Sequence, residues 1–226
     1  MLKKLLIVFA SGTILCIVAL SLAWVTGGKN LPRTFFDDDA YSFGIGGDHD
    51  GKVTKKSRDF AVDSSQPLTM TIPVNLHFTR GEEARMTVRG PAEAIDRLVW
   101  ENSRLSIKPG RSVRRGLEVT IVAPQLVELD LSAPANVGLA GLQQDQFRLK
   151  SSGAVNLKAS GNVRQLFITT EGAGHLDLKK VDAESAVVRL DGVGNVSVAP
   201  SRLADVVING VGRVSLHRKP EQLRSE

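Results

Sequence analysis

The sequence predicts an all-β protein: a β-helix or solenoid of about five C-terminal coils, preceded by short strands and one short helix, behind an N-terminal transmembrane helix. Three observations predict it. Segments of strict every-other-residue apolar patterning recur five times, each eleven residues long. Small residues sit in the middle of each segment. An uncharged apolar run of 21 residues, Leu5–Val25, lies near the start of the chain.

The repeats carry most of the argument. Leu129–Leu139, Phe147–Leu157, Ile168–Leu178, Val188–Val198 and Val206–Leu216 align, with starts spaced by 18, 21, 20 and 18 residues. The first two columns read Leu129, Phe147, Ile168, Val188, Val206 and Leu131, Leu149, Thr170, Leu190, Ile208. The middle two read Ala133, Ser151, Gly172, Gly192, Gly210 and Ala135, Gly153, Gly174, Gly194, Gly212. The last two read Val137, Val155, Leu176, Val196, Val214 and Leu139, Leu157, Leu178, Val198, Leu216. Period two places one set of residues on one face of a strand. Small residues in mid-segment mark a corner where backbone crowds out side chains. Each coil therefore reads as strand, corner, strand and a returning loop, and repeats of about 20 residues stack as a solenoid. Aromatic residues are only 5% while Gly numbers 21, which suits narrow β-rungs better than a bulky core.

Ahead of the repeats the pattern is short strands: Leu68–Ile72, Asn75–Thr79, Ala84–Arg89, Arg104–Lys108 and Leu117–Val122. Turn residues such as Pro73, Gly90-Pro91 and Pro109-Gly110 separate them. Pro91–Trp100 reads as a short helix, with Pro first, Glu93 early and Ile95, Leu98 and Val99 on one side. The organisation expected is a leader over 1–26, a flexible linker over 27–58 and the β-domain over 59–226.

Lys3 and Lys4 before the apolar run orient the remainder of the chain outward. The run is long enough to span a bilayer, which favours a signal anchor; Ser21-Leu22-Ala23 also offers a cleavage site for a signal peptide. Cys16, the single cysteine, lies inside this run, so the exported part has no disulfide and no thiolate chemistry. The expected location is the cell envelope of a bacterium: inner-membrane anchored facing the periplasm or exterior, or periplasmic if the leader is cleaved. The linker contains Asp37-Asp38-Asp39, Asp48-His49-Asp50 and the aromatics Phe35, Phe36, Tyr41 and Phe43. The acidic clusters lack the spacing of a calcium loop and read as tether.

No residue is assigned a catalytic, cofactor-binding or metal-binding role. His175 and His217 stand alone, without a second ligand at metal spacing. Asp177 and Asp191 are isolated, unlike the repeated aspartates of calcium-binding nonapeptide arrays. The outward columns, Asn136, His175, Asn195, Arg213 and Asn156, Asp177, Ser197, Ser215, are polar but mixed. The net charge of +5 is modest. The basic loop of Arg104, Lys108, Arg111, Arg114 and Arg115 has no interleaved aromatics, so nucleic acid is not an expected partner. The charged tail His217–Glu221 is expected to block the last strand edge.

Glu171–Leu178, Asp191–Val198 and Asn209–Leu216 each carry G-x-G-x-[VL]-x-[LV]. Over residues 60 to 217 the chain resembles the bacterial GIN domain, described as "putative auto-transporter adhesin, head domain". Ala133-Pro134-Ala135 and Ser151-Ser152-Gly153 depart from the motif while keeping small residues. The resemblance implies a right-handed β-helix-like solenoid, exported, often tethered to the envelope, with no catalytic residues to carry over. The expected function is a non-enzymatic envelope protein for adhesion or scaffolding, with the membrane and an envelope protein or polysaccharide as partners. Two alternatives remain. One is an envelope-sensing accessory protein acting through a membrane partner. The other is a polysaccharide-active enzyme centred on Asp177, which would need paired carboxylates, or a base with a cation, on one exposed face.

Overall fold

The computed structural model describes residues 54–110 and 116–226. The leader, Cys16, the acidic linker clusters and Arg111, Arg114 and Arg115 lie outside them. No helix among the described residues is long and apolar enough to cross a membrane.

The described residues form one 15-stranded sheet system wound into a solenoid. Its repeat strands are long: β9 (Ala135–Ser151), β10 (Ala154–Thr170) and β11 (Ala173–Leu190). The last coils are shorter: β12 (Val193–Val198), β13 (Pro200–Ile208) and β14 (Val211–Leu216). Neighbouring coils pair in parallel, β9 with β10, β10 with β11, β11 with both β12 and β13, and β12 with β14. The five expected coils are present.

The stretches expected to return as loops are themselves strand. In β11 the inward residues are Leu176 and Leu178, then Val181 and Ala183, then Ala186, Val188 and Leu190. Two adjacent exposed residues, Lys179 and Lys180, break the alternation once, and Glu184-Ser185 break it again. Alternation resumes after each break because the chain bends there and turns the same face inward. Each coil thus has three inward-facing runs, and nearly every backbone group finds a partner in the coil above or below.

One register differs from the sequence expectation. Leu129 pairs with Leu149, which pairs with Ile168. Val137 pairs with Leu157, and Leu157 with Leu176. The second coil is therefore displaced by two residues, with Leu149 rather than Phe147 in the first column and Gly153 at the first corner position. A two-residue slip keeps the same face inward, so alternation cannot detect it. The corner decides. There two successive amides donate to one carbonyl of the coil below: Ser152 and Gly153 to Leu131 at 3.1 and 3.2 Å, Asp191 and Gly192 to Thr170 at 2.9 and 3.1 Å. A Cβ at Gly153 would sit 2.5 Å from the carbonyl carbon of Ala133.

The shift also places Ser151 beside Thr170 in the buried interior. The Ser151 hydroxyl is buried without a hydrogen-bond partner. Ser151→Ala is therefore expected to leave stability unchanged or raise it by up to ~1 kcal/mol in urea unfolding. A loss above that would mean the hydroxyl is satisfied.

The stack begins earlier than the repeats indicate. β2 (Leu68–Met70) pairs in parallel with β8 (Glu128–Leu131), and β3 (Val74–Arg80) with β9. Leu68, Met70, Ile72, Val74, Leu76 and Phe78, all buried, thus form a further coil on the same six columns. β6 (Arg104–Ile107) and β7 (Leu117–Ala123) stack on the other side of that coil. Antiparallel β4 (Arg85–Pro91) and then β1 (Lys55–Ala61) close this end. β1 starts at Lys55, inside the stretch read as linker.

The expected helix shortens to α1, Ala92–Ile95. Leu98–Glu101 is instead β5, a hairpin partner of β6. The turn Asn102-Ser103 has φ of 50° and 56°, the twist that a two-residue hairpin requires.

Candidate functional site

The outward face of β3, β9, β10, β11, β12 and β14 is a run of in-register parallel strands. Backbone pairing puts Asn75, Asn136, Asn156, His175, Asn195 and Arg213 in one straight column, all exposed. Parallel strands lie about 4.8 Å apart, so the side chains repeat at that interval. The sequence alignment had split this column, placing Asn156 elsewhere and omitting Asn75. The signal that could have found it is the corner register. Asn136 Nδ2 donates to Asn75 Oδ1 at 3.0 Å, which orients both amides along the column.

The next outward column reads His77, Gly138, Lys158, Asp177, Ser197, Ser215. Asp177 is set between Lys158 and Ser197, not beside a second carboxylate. Burial works against its charge. The hydrogen bonds from the Lys179 ammonium, 3.0 Å away, and the Lys179 backbone amide, at 3.2 Å, outweigh that effect. Its carboxyl is held below the usual 3.8. A carboxyl kept ionised in this way is a poor general acid at neutral pH.

His175 lies between Asn156 and Asn195 in its column. His217 follows β14, with its backbone amide on Val198 at 2.8 Å. Asp191 accepts a hydrogen bond from Asn209 Nδ2 at 2.8 Å across adjacent coils. Among the described residues no group of three or more His, Cys, Asp or Glu is placed to hold a metal ion. Arg104 pairs along the β5–β6 hairpin with Glu101.

One ionic cluster went unnoticed in the sequence. Glu128 is only 8% exposed. Lys150 Nζ lies 2.8 Å from one of its oxygens, and Arg148 Nη1 donates to the other at 3.2 Å. The Arg148 guanidinium also sits 5.4 Å from the Phe167 ring centre. Burial opposes ionisation of Glu128, but the bonds and charges of Lys150 and Arg148 prevail and hold its pKa below 4.5. A depressed carboxyl pKa stabilises the fold above the unfolded value and loses that contribution as pH falls through the folded one. Glu128→Gln should therefore destabilise the domain at about pH 7, and the gap to the parent should close toward about pH 3. Urea unfolding at the two pH values checks this; a gap that does not narrow would refute the ionic role.

The geometry offers a single column of four asparagine amides, with His175 and the cation of Arg213 in the same line. Such groups bind hydroxyls and amides in an extended partner. A family model described as "Putative auto-transporter adhesin, head GIN domain" matches residues 66–220. The chain belongs to the GIN domain family. Its fold is shared with a solved structure described as a "putative adhesin" from Bacteroides fragilis NCTC 9343. That match has a TM-score of 0.60 at 18% identity, covering 76% of this chain and 92% of the other. A second, described as a "putative adhesin" from Parabacteroides merdae ATCC 43184, has a TM-score of 0.39 at 13% identity, covering 77% and 95%. A third, described as a "Putative lipid binding protein" from Parabacteroides distasonis ATCC 8503, has a TM-score of 0.38 at 15% identity, covering 77% and 94%. No curated protein matches the chain.

Proposed function

We propose that this GIN domain is a non-catalytic, exported envelope protein, held at the membrane by its N-terminal segment, that uses its asparagine column for adhesion or scaffolding. The observation that carries the reading is that column: six exposed polar side chains in strict register on a rigid parallel sheet. A rigid array loses little conformational entropy on binding, so many weak contacts add up. The membership of an adhesin-type family supports the envelope setting. The surroundings of Asp177 support a binding role over a hydrolytic one, since glycoside hydrolysis uses paired carboxylates.

The test uses the full chain in detergent, immobilised and offered three probes: peptidoglycan sacculi, purified capsular polysaccharide and an envelope protein extract. One probe should be retained. Asn156→Ala, Asn195→Ala and Arg213→Ala together should weaken its retention by about tenfold with the melting temperature unchanged. Retention of no probe, or equal retention by the variant, would defeat the proposal.

A further inference from the structure

The two ends of the solenoid are finished differently. At the first end, antiparallel β4 and β1 and helix α1 close the stack, and Phe60 packs against Trp100 with ring centres 6.1 Å apart. The outer strand there opens with Lys55, Lys56, Ser57 and Arg58, all exposed. A charged edge of this kind resists pairing with another strand.

Among the described residues the other end has no such finish. The tail does not block it in the expected way. Pro220 is buried and the chain pairs again beyond it, as β15 (Gln222–Ser225) on β13. β15 thus lies over β13 in the same last coil as β14 and does not cover β14. β14 pairs with β12, and no other described strand pairs with its outer row of amides and carbonyls. The apolar rung of β14 itself is only partly covered. Val196 and Val198 are 1% and 0% exposed in the coil below, whereas Val214 and Leu216 on the same columns are only partly buried, packed against the core from one side. Ile208 reaches 37%, against 0% for Leu190 under it.

We infer that β14 is the interface of a two-fold dimer, in which two solenoids join through their C-terminal ends. The occupant must bring both an unpaired strand edge and a partly covered apolar rung. Among the described residues only this same end of a second copy offers both. Stacking onto the opposite end is resisted by the Lys55–Arg58 edge, so the contact closes as a pair and does not grow into a filament. Antiparallel pairing about Val214 keeps inward residues inward in both chains. It sets Gly212 opposite the partner's Leu216 and Arg213 opposite the partner's Ser215. No like charges then face each other across the junction, and one apolar interior runs through both molecules.

Two measurements on the full chain in detergent test this. In a Cys16→Ser background, Val214→Cys should form a disulfide-linked dimer on mild oxidation, because directly opposed residues are within reach of a disulfide. Val193→Cys, one strand back, should not. In the otherwise unaltered chain, Ser215→Lys, facing Arg213 of the second copy, should weaken the dimer roughly tenfold in sedimentation equilibrium, and Ser215→Glu should tighten it. Melting temperatures near the parent's confirm that these outer-face changes leave the coil folded. A chain that is monomeric at every concentration overturns the inference. So does a dimer that ignores both Ser215 substitutions and does not link through position 214.

Discussion

Gly192→Ala is expected to destabilise the domain by roughly 3 kcal/mol or more, a large effect for a single methyl group. The added Cβ would press into the carbonyl oxygen of Gly172 and lie 2.7 Å from the carbonyl carbon of Glu171. Both obstacles are backbone of the coil below, so no side chain can swing aside. Moving the corner outward instead would break the paired amide bonds of Asp191 and Gly192 to Thr170. For a domain of this size the loss corresponds to a fall of about 6–12 °C in Tm. Gly138→Ala is the control. Its Cβ would meet only His77 Nδ1, at 3.4 Å, and stability should stay within ~0.5 kcal/mol of the parent. Equal melting of the Gly192 variant and the parent would remove the crowded corner on which the register assignment depends.

Phe147→Ala is expected to cost about 3–5 kcal/mol in urea unfolding, the usual range for emptying a buried aromatic site. Phe147 has no exposed surface and stacks on Leu166, which is followed by Ala186 and Ala204 along the same column. Bulk thus falls along this column from Phe147 through Leu166 to two alanines. Collapse is resisted because the backbone ladders on both sides hold the coils at strand spacing. Phe147→Leu, matching its neighbour Leu166, should lose less than half as much. Similar small losses for both variants would show that the rung closes over the void.

Those two positions also show where sequence reasoning succeeded and failed. The alternation from Ile168 to Leu178 and its later copies was readable directly, because period two survives any environment that buries one face. Phe147 was assigned two residues out of register for the same reason: the pattern is identical after a slip of two. Gly153, not Ser151, had to take the corner beside Ala133, and that requirement exists only once two coils touch. The coil over Leu68–Phe78 alternates just as strictly. It went unrecognised because Ile72 and Val74 stand where small residues were expected. The hairpin strand Leu98–Glu101 was read as helix, since Ile95, Leu98 and Val99 fit a helical stripe until β6 paired with it.

The candidate site followed the register. Asn136, His175, Asn195 and Arg213 were legible as one outward column, and Asn75 and Asn156 joined it only through strand pairing. The Glu128–Lys150–Arg148 cluster spans adjacent coils, so nothing local in the chain announced it.

By itself, the order of residues determined that this chain would wind into stacked β-coils with small corners and a polar exterior. Those features depend on which face each residue takes, and alternation encodes that locally. Tertiary structure alone decided which coil rests on which residue, where the stack begins and which strands form its edges. Those depend on contacts between backbone segments about 20 residues apart in the sequence, where a shift of two leaves every local preference satisfied.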